Sequence, residues 1–151
     1  MTNEVAMSLY EQDFYQWTQE QAALLKAGTL AQLDIENLIE EVESMGRSEK
    51  RELVSRLAVL LAHMLKWDYQ PSRQGKSWEL TIKGQRLELF DVLEDSPSLK
   101  PQLPSAIEKA YRKAVLLAVG ETSLSESTFP EVCPYSIEQI MGNPQAPTAL
   151  D

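Results

Sequence analysis

The sequence predicts an all-α fold: a single-domain helical bundle of four main helices with a short helix near the C-terminus. Three observations carry that expectation. The run from Leu33 to Trp67, LDIENLIEEVESMGRSEKRELVSRLAVLLAHMLKW, contains no proline and a single glycine, Gly46. It forms one long helix, or two helices broken near that glycine, which costs a helix interior about 1 kcal/mol. Apolar residues recur at i, i+3, i+4 and i+7 along most of the chain, the spacing of one helix face. Serine, aspartate and glycine stand where such stretches begin and end.

The first helix is expected over about residues 9–27. Ser8 and Glu11 have capping-box spacing, Tyr10, Phe14, Trp17, Leu24 and Leu25 supply the apolar face, and Gly28 suits a left-handed C-terminal cap. Thr29 with Gln32, or Asp34 alone, can start the long second helix. Its first half carries Ile35, Leu38, Ile39 and Val42 on one stripe and Glu36, Glu40 and Glu43 on another face. Its second half carries Leu53, Leu57, Leu60, Met64 and Trp67, widened by Val54, Ala58, Leu61 and Leu65. A helix so apolar around its girth belongs at the centre of a bundle.

Pro71 ends it, and Pro71 to Ser77 reads as a loop. The segment 78–93 fits a helix through Trp78, Ile82, Leu89 and Leu93, and it also alternates as a hairpin around Gly84. An isolated hairpin is rarely stable, which favours the helix. After prolines 97, 101 and 104, Ser105 and Glu108 suggest a capping box for a helix through Ile107, Tyr111, Ala114, Leu117 and Ala118, ending near Gly120. Phe129 is expected to anchor the following irregular stretch. Ser136 with Gln139 marks a short helix near 137–141, and 142–151 reads as a frayed tail beyond an ordered body of about 8–141.

A chain of 151 residues has the size of one domain and buries enough surface to fold without metal or disulfide. Cys133 is the only cysteine, which fits a reducing cytoplasm. The N-terminus lacks a basic leader segment, and no apolar run reaches membrane-spanning length. The net charge of −9 argues against non-specific nucleic-acid binding. It is unevenly spread: residues 1–46 hold nine acids and one base, residues 47–86 four acids and nine bases, and residues 87–151 ten acids and four bases. The basic middle either faces the acidic flanks within the fold or meets an acidic partner.

The string LYEQDFYQWTQEQAALLKAGTLAQLDIENLIEEVESMGRSEKRELVSRLAVLLAHMLKWDYQP, with the later pieces GKSWELTI, DSPSL, AYRKA and FPEVCPYSIEQI, resembles the domain-of-unknown-function family numbered 29, found mainly in cyanobacteria. The resemblance covers about residues 8–141. It implies a small all-helical fold and tips segment 78–93 towards helix, with Gly84 as a departure. It implies no activity.

Several constellations bear on chemistry. Glu36, Glu40, Glu41 and Glu43 cluster on the long helix, and Glu88 with Asp91 has metal-helix spacing. Glu40, Glu43, Glu88 and Asp91 together are similar to the layout of all-α nucleoside-triphosphate pyrophosphohydrolases, in which carboxylates hold magnesium against a phosphate chain. The spacing here is Glu-Glu-x-Glu, where that family prefers Glu-Glu-x-x-Glu. The plainer reading is a solvated face, or pairing with Arg47, Lys50 and Arg51. His63, the only histidine, excludes a multi-histidine metal site; it suits a lone ligand or base, or more plainly a satisfied polar residue. The stretch 66–78 gathers Trp67, Tyr69, Arg73, Lys76 and Trp78, a composition enriched at protein interfaces; alternatively the tryptophans anchor the loop. No nucleophile elbow, phosphate loop or dinucleotide fingerprint is present, and Cys133 reads as inert packing. The residues therefore point to a non-enzymatic intracellular interaction module that needs no cofactor, with a magnesium-dependent phosphohydrolase as the alternative.

Overall fold

A computed structural model describes residues 7–142. It is all-α: among the described residues there are six helices, α1 (Leu9–Gln12), α2 (Phe14–Ala27), α3 (Ile35–Tyr69), α4 (Lys76–Asp95), α5 (Leu103–Glu121) and α6 (Ile137–Met141), with 3-10 turns in every connection but that between α1 and α2. Among the described residues there is no strand. Contacts divide the chain between Arg47 and Ser48 into two compact units, and α3 contributes a helical stretch to each.

In the N-terminal unit the expected first helix is interrupted. The Ser8 hydroxyl accepts from the Glu11 amide at 3.4 Å, but the reciprocal half of the capping box is not formed. Asp13, at φ −150°, leaves helical geometry and starts α2 by accepting from the Gln16 amide at 3.0 Å. A short carboxylate side chain competes for the backbone in this way. Gly28 closes α2 at φ 72°, a left-handed geometry that glycine adopts without steric cost. Thr29 makes no side-chain cap, and Leu30–Gln32 is a 3-10 turn.

Asp34 opens α3 and ties this unit together. Its Oδ1 accepts from the Asn37 amide at 3.4 Å, and its Oδ2 accepts from the Trp17 indole at 2.9 Å and the Asn37 side chain at 2.8 Å. Its own amide donates to Gln21 Oε1 at 2.8 Å. Trp17 is buried, and Tyr10 and Phe14 lie against it at 4.8 and 5.6 Å between ring centroids.

The long helix is continuous through Gly46. Beyond Arg47 it is the spine of the C-terminal unit. Leu53, Leu57, Leu60 and Met64 are at most 1% exposed, and they pack with Ile82 and Leu89 of α4 and with α5 in one apolar cluster. Ala106, Ala110, Ala114 and Ala118 form a buried row at fourfold spacing on α5; side chains this small let neighbouring helices approach closely. Residues 76–95 are one helix through Gly84.

The Ser105–Glu108 capping box does not form. Helix α5 already starts at Leu103, with Pro104 in its first turn, where a missing N–H costs nothing. Ser105 is therefore inside the helix, and its hydroxyl donates back to the Gln102 carbonyl at 3.1 Å. The irregular stretch after α5 is held as expected. Phe129 is buried beside Tyr69, and Tyr111 donates to the Pro130 carbonyl at 2.6 Å. Ser136 and Gln139 form a full capping box for α6. Arg86, wholly buried, donates to the carbonyls of Ile140 and Gln139 at 3.0 Å each. Gly142 is required beside it: φ is +53°, and a Cβ there would lie 2.7 Å from the Arg86 guanidinium carbon. Of the tail expected to fray, 142–151, Gly142 instead caps α6, and the rest lies outside the described residues.

Candidate interaction surfaces

The aromatic-basic stretch 66–78 divides by residue type. Trp67 and Tyr69 are half-buried and pack on the apolar cluster, and Tyr69 meets the Phe129 ring edge-on at 5.2 Å. Trp78 is half-buried, with the Lys66 ammonium 5.1 Å from its ring centroid. Arg73 and Lys76 are exposed. Trp67 and Tyr69 thus contribute to packing, Trp78 lies beside Lys66, and two cations face solvent. The loop is braced from within, since the Gln74 side chain donates to the Trp67 carbonyl at 2.9 Å.

Lys66 is a polar centre that periodicity does not single out. It is 3% exposed, and its ammonium donates to Glu121 and sits 3.4 Å from His63 Nε2. His63 Nδ1 lies 2.9 Å from the Val59 carbonyl. A proton on Nδ1 satisfies that carbonyl and leaves Nε2 to accept from Lys66. Burial, and secondarily the Lys66 charge, pulls the His63 pKa below its ordinary value. The hydrogen bond from Lys66 holds the Glu121 carboxyl below its ordinary value. This triad neutralises a buried ammonium, and each member already has a partner. Burial pushes the Cys133 thiol pKa up, away from the thiolate form that reacts.

The acidic residues are dispersed in their pairing. Glu40 binds Arg47 at 2.9 Å, Glu41 accepts from the Tyr10 hydroxyl, and Glu88 lies 3.6 Å from Arg56. Glu43 and Asp91 are exposed. The Glu41 hydrogen bond raises the Tyr10 pKa to about 12. Among the described residues no three histidine, cysteine, aspartate or glutamate side chains gather where one ion could be held.

A different grouping emerges between α3 and α5. A groove of about 480 Å³ is lined by Lys50, Arg51, Lys109, Arg112, Lys113 and Val54. Its lining holds five cations and no carboxylate. All five are exposed, and none forms an ion pair within 4.0 Å among the described residues. Sequence reasoning saw the basic middle of the chain but missed this convergence, because Lys109, Arg112 and Lys113 lie in a stretch that is acidic on balance. The signal was local: three bases within five residues on successive turns of one helix.

The first half of α3 is also open. Ile35, Ile39, Val42 and Met45 are 54%, 52%, 60% and 62% exposed. Four large apolar side chains along one helix are more than the scattered single exposures that ordinary surfaces carry. Among the described residues no helix is long and apolar enough to cross a membrane.

The model of the family described as "Domain of unknown function DUF29" matches residues 9–144. No curated protein and no solved structure matches the chain.

Proposed function

This chain belongs to the DUF29 family, and from its surfaces we propose that it is a non-enzymatic, cytoplasmic interaction module that docks an acidic protein segment in the groove between α3 and α5. The observation that carries this reading is the groove's lining: five cations and no carboxylate, none of the five ion-paired within 4.0 Å among the described residues, in a chain of net charge −9. Like charges crowded on one surface repel one another, and an anionic ligand relieves that repulsion. The apolar Val54 in the lining favours a segment that brings apolar side chains as well as acids. A phosphate backbone offers only the charge, and the acidity of the whole opposes its approach.

The test is fluorescence anisotropy with a labelled, helix-forming glutamate-rich peptide and, in parallel, a labelled single-stranded oligonucleotide of equal charge. The peptide is expected to bind at low salt and to lose affinity as salt screens the contact. The combined variant Lys109→Glu, Arg112→Glu, Lys113→Glu should lose the peptide while its helical circular dichroism is unchanged. No peptide binding at low salt, unchanged binding by the folded variant, or tighter binding of the oligonucleotide would each defeat the reading.

A further inference from the structure

The groove calls for an acidic helix with an apolar edge, and the chain carries such a helix itself. Residues Glu36, Glu40, Glu43, Arg47, Lys50 and Val54 of α3 follow one another at alternating steps of four and three, the spacing of a single helix face. None of the six is buried. The row is acidic in its first half and basic in its second. Turned end over end about Met45, it sets Glu40 opposite Lys50, Glu43 opposite Arg47, and Glu36 opposite Val54. Arg51, one turn beyond Arg47, then falls between Glu36 and Glu40. A helix face whose charges are antisymmetric about its midpoint is complementary to itself in the antiparallel sense. That is the requirement for an isologous twofold interface.

The adjoining row is the exposed apolar one, Ile35, Ile39 and Val42. In the antiparallel arrangement these side chains come against Val54 and the aliphatic stem of Lys50, which can cover apolar surface while its charged end stays wet. Arg47 is already held by Glu40 of its own chain, so the weight falls on Lys50 and Arg51. Neither has a carboxylate within 4.0 Å among the described residues. Lys109, Arg112 and Lys113 form the far wall of the same groove and extend the positive field met by an incoming Glu36–Glu43 segment.

We infer that the acidic segment docked in the groove is residues 35–45 of a second copy of this chain, so that two α3 helices pair antiparallel about Met45 and each copy fills the other's groove. The inference rests on the preceding reading of the groove and names its occupant.

A charge-swap cycle on the full chain tests it, read by sedimentation equilibrium at low and high salt. The wild type is expected to dimerise, and more weakly as salt rises. The double variant Glu36→Lys, Glu40→Lys and the double variant Lys50→Glu, Arg51→Glu should each be monomeric, with the dissociation constant raised about a hundredfold, because like charges then face one another. Mixing the two variants should restore a dimer containing one copy of each, which also shows that both are folded. A monomeric wild type at about 100 µM and low salt, a dimer indifferent to either reversal, or no recovery on mixing overturns the inference. A monomeric wild type that still binds the glutamate-rich peptide would retain the groove's function and reject only this occupant. Failure of both experiments would reject both.

Discussion

The two halves of α3 share one apolar periodicity and meet opposite fates. Ile35, Ile39 and Val42 stand eighteen residues before Leu53, Leu57 and Leu60, an interval of five full helical turns. The later three are at most 1% exposed and the earlier three at least 52%. The same pattern is therefore a core in one stretch and a surface in the other. Periodicity reports that a helix has a greasy side; whether the chain has anything to lay against it is a separate matter. Beyond Arg47, α4 and α5 supply two long helices for that purpose. Among its described residues the N-terminal unit, which ends at Arg47, has only the short α1 and α2 to set against its part of α3, and a small body buries a smaller share of its surface than a larger one.

The sharpest way to break this comparison is to truncate one residue in each half. Leu57→Ala opens a cavity in the cluster formed with α4 and α5 and should cost about 2–5 kcal/mol of unfolding free energy. Ile39→Ala removes a side chain already in water and should change monomer stability by about 0.5 kcal/mol or less. Urea titration of both variants, at a concentration low enough to exclude self-association, measures the difference. Equal losses would mean that Ile39 is covered within its own chain.

A smaller effect sharpens the description of the N-terminal unit. With so little apolar burial, this unit relies on Asp34, which caps α3 and accepts the Trp17 indole. Asp34→Ala should cost about 1–2 kcal/mol, the upper part of the range for a lost N-terminal cap. In the nuclear magnetic resonance spectrum the Trp17 indole proton should lose its protection from exchange, while the exchange of the Trp67 and Trp78 indole protons is unchanged. Unchanged Trp17 protection would show that the indole does not depend on that carboxylate.

Much of this fold was legible before any coordinates. The all-helical class, the cap at Gly28, the anchor at Phe129 and the box at Ser136–Gln139 follow from spacing and local hydrogen-bonding chemistry; for segment 78–93 spacing fits helix and hairpin alike, and the helix is favoured by the rarity of isolated hairpins and by the family resemblance. Local rules failed where two of them competed for one stretch. Asp13 cut the first helix because an unrecognised cap lay inside an apolar repeat. Ser105 lost its cap because Pro104 already occupied the first turn of α5. The candidate surface was less legible. Trp67, Tyr69 and Trp78 look like contact residues in composition; Trp67 and Tyr69 also pack on the apolar cluster, and Trp78 lies beside the Lys66 ammonium. Lys109, Arg112 and Lys113 look unremarkable in an acidic stretch, yet they meet Lys50 and Arg51 across a groove. Charge summed along a sequence carries no information about which helices lie side by side, and that juxtaposition makes the groove.

The smallest effect probes the inner side of α3, where burial rather than exposure sets the chemistry. His63 lies among groups that oppose its charge: its own burial first, then Lys66. The Val59 carbonyl and Glu121 act in the other direction, and the balance lowers its pKa beneath 6.5 in the folded chain. An unfolded chain then takes up this proton at a higher pH than the native one. Stability contributed by neutral His63 is complete above pH 6.5, and it is lost as pH falls from there through the folded value. Glu121, lowered chiefly by its hydrogen bond from Lys66, acts in a separate window: its contribution is complete above 4.5 and disappears as pH falls through its own depressed value. Urea unfolding between about pH 5 and 8, the range in which histidine titrates, should show a decline towards acid in the wild type that His63→Gln flattens. The two proteins should run parallel above pH 6.5. If their curves stay parallel down to pH 5, the buried end of α3 does not feel the proton, and the contrast between its two halves is one of packing alone.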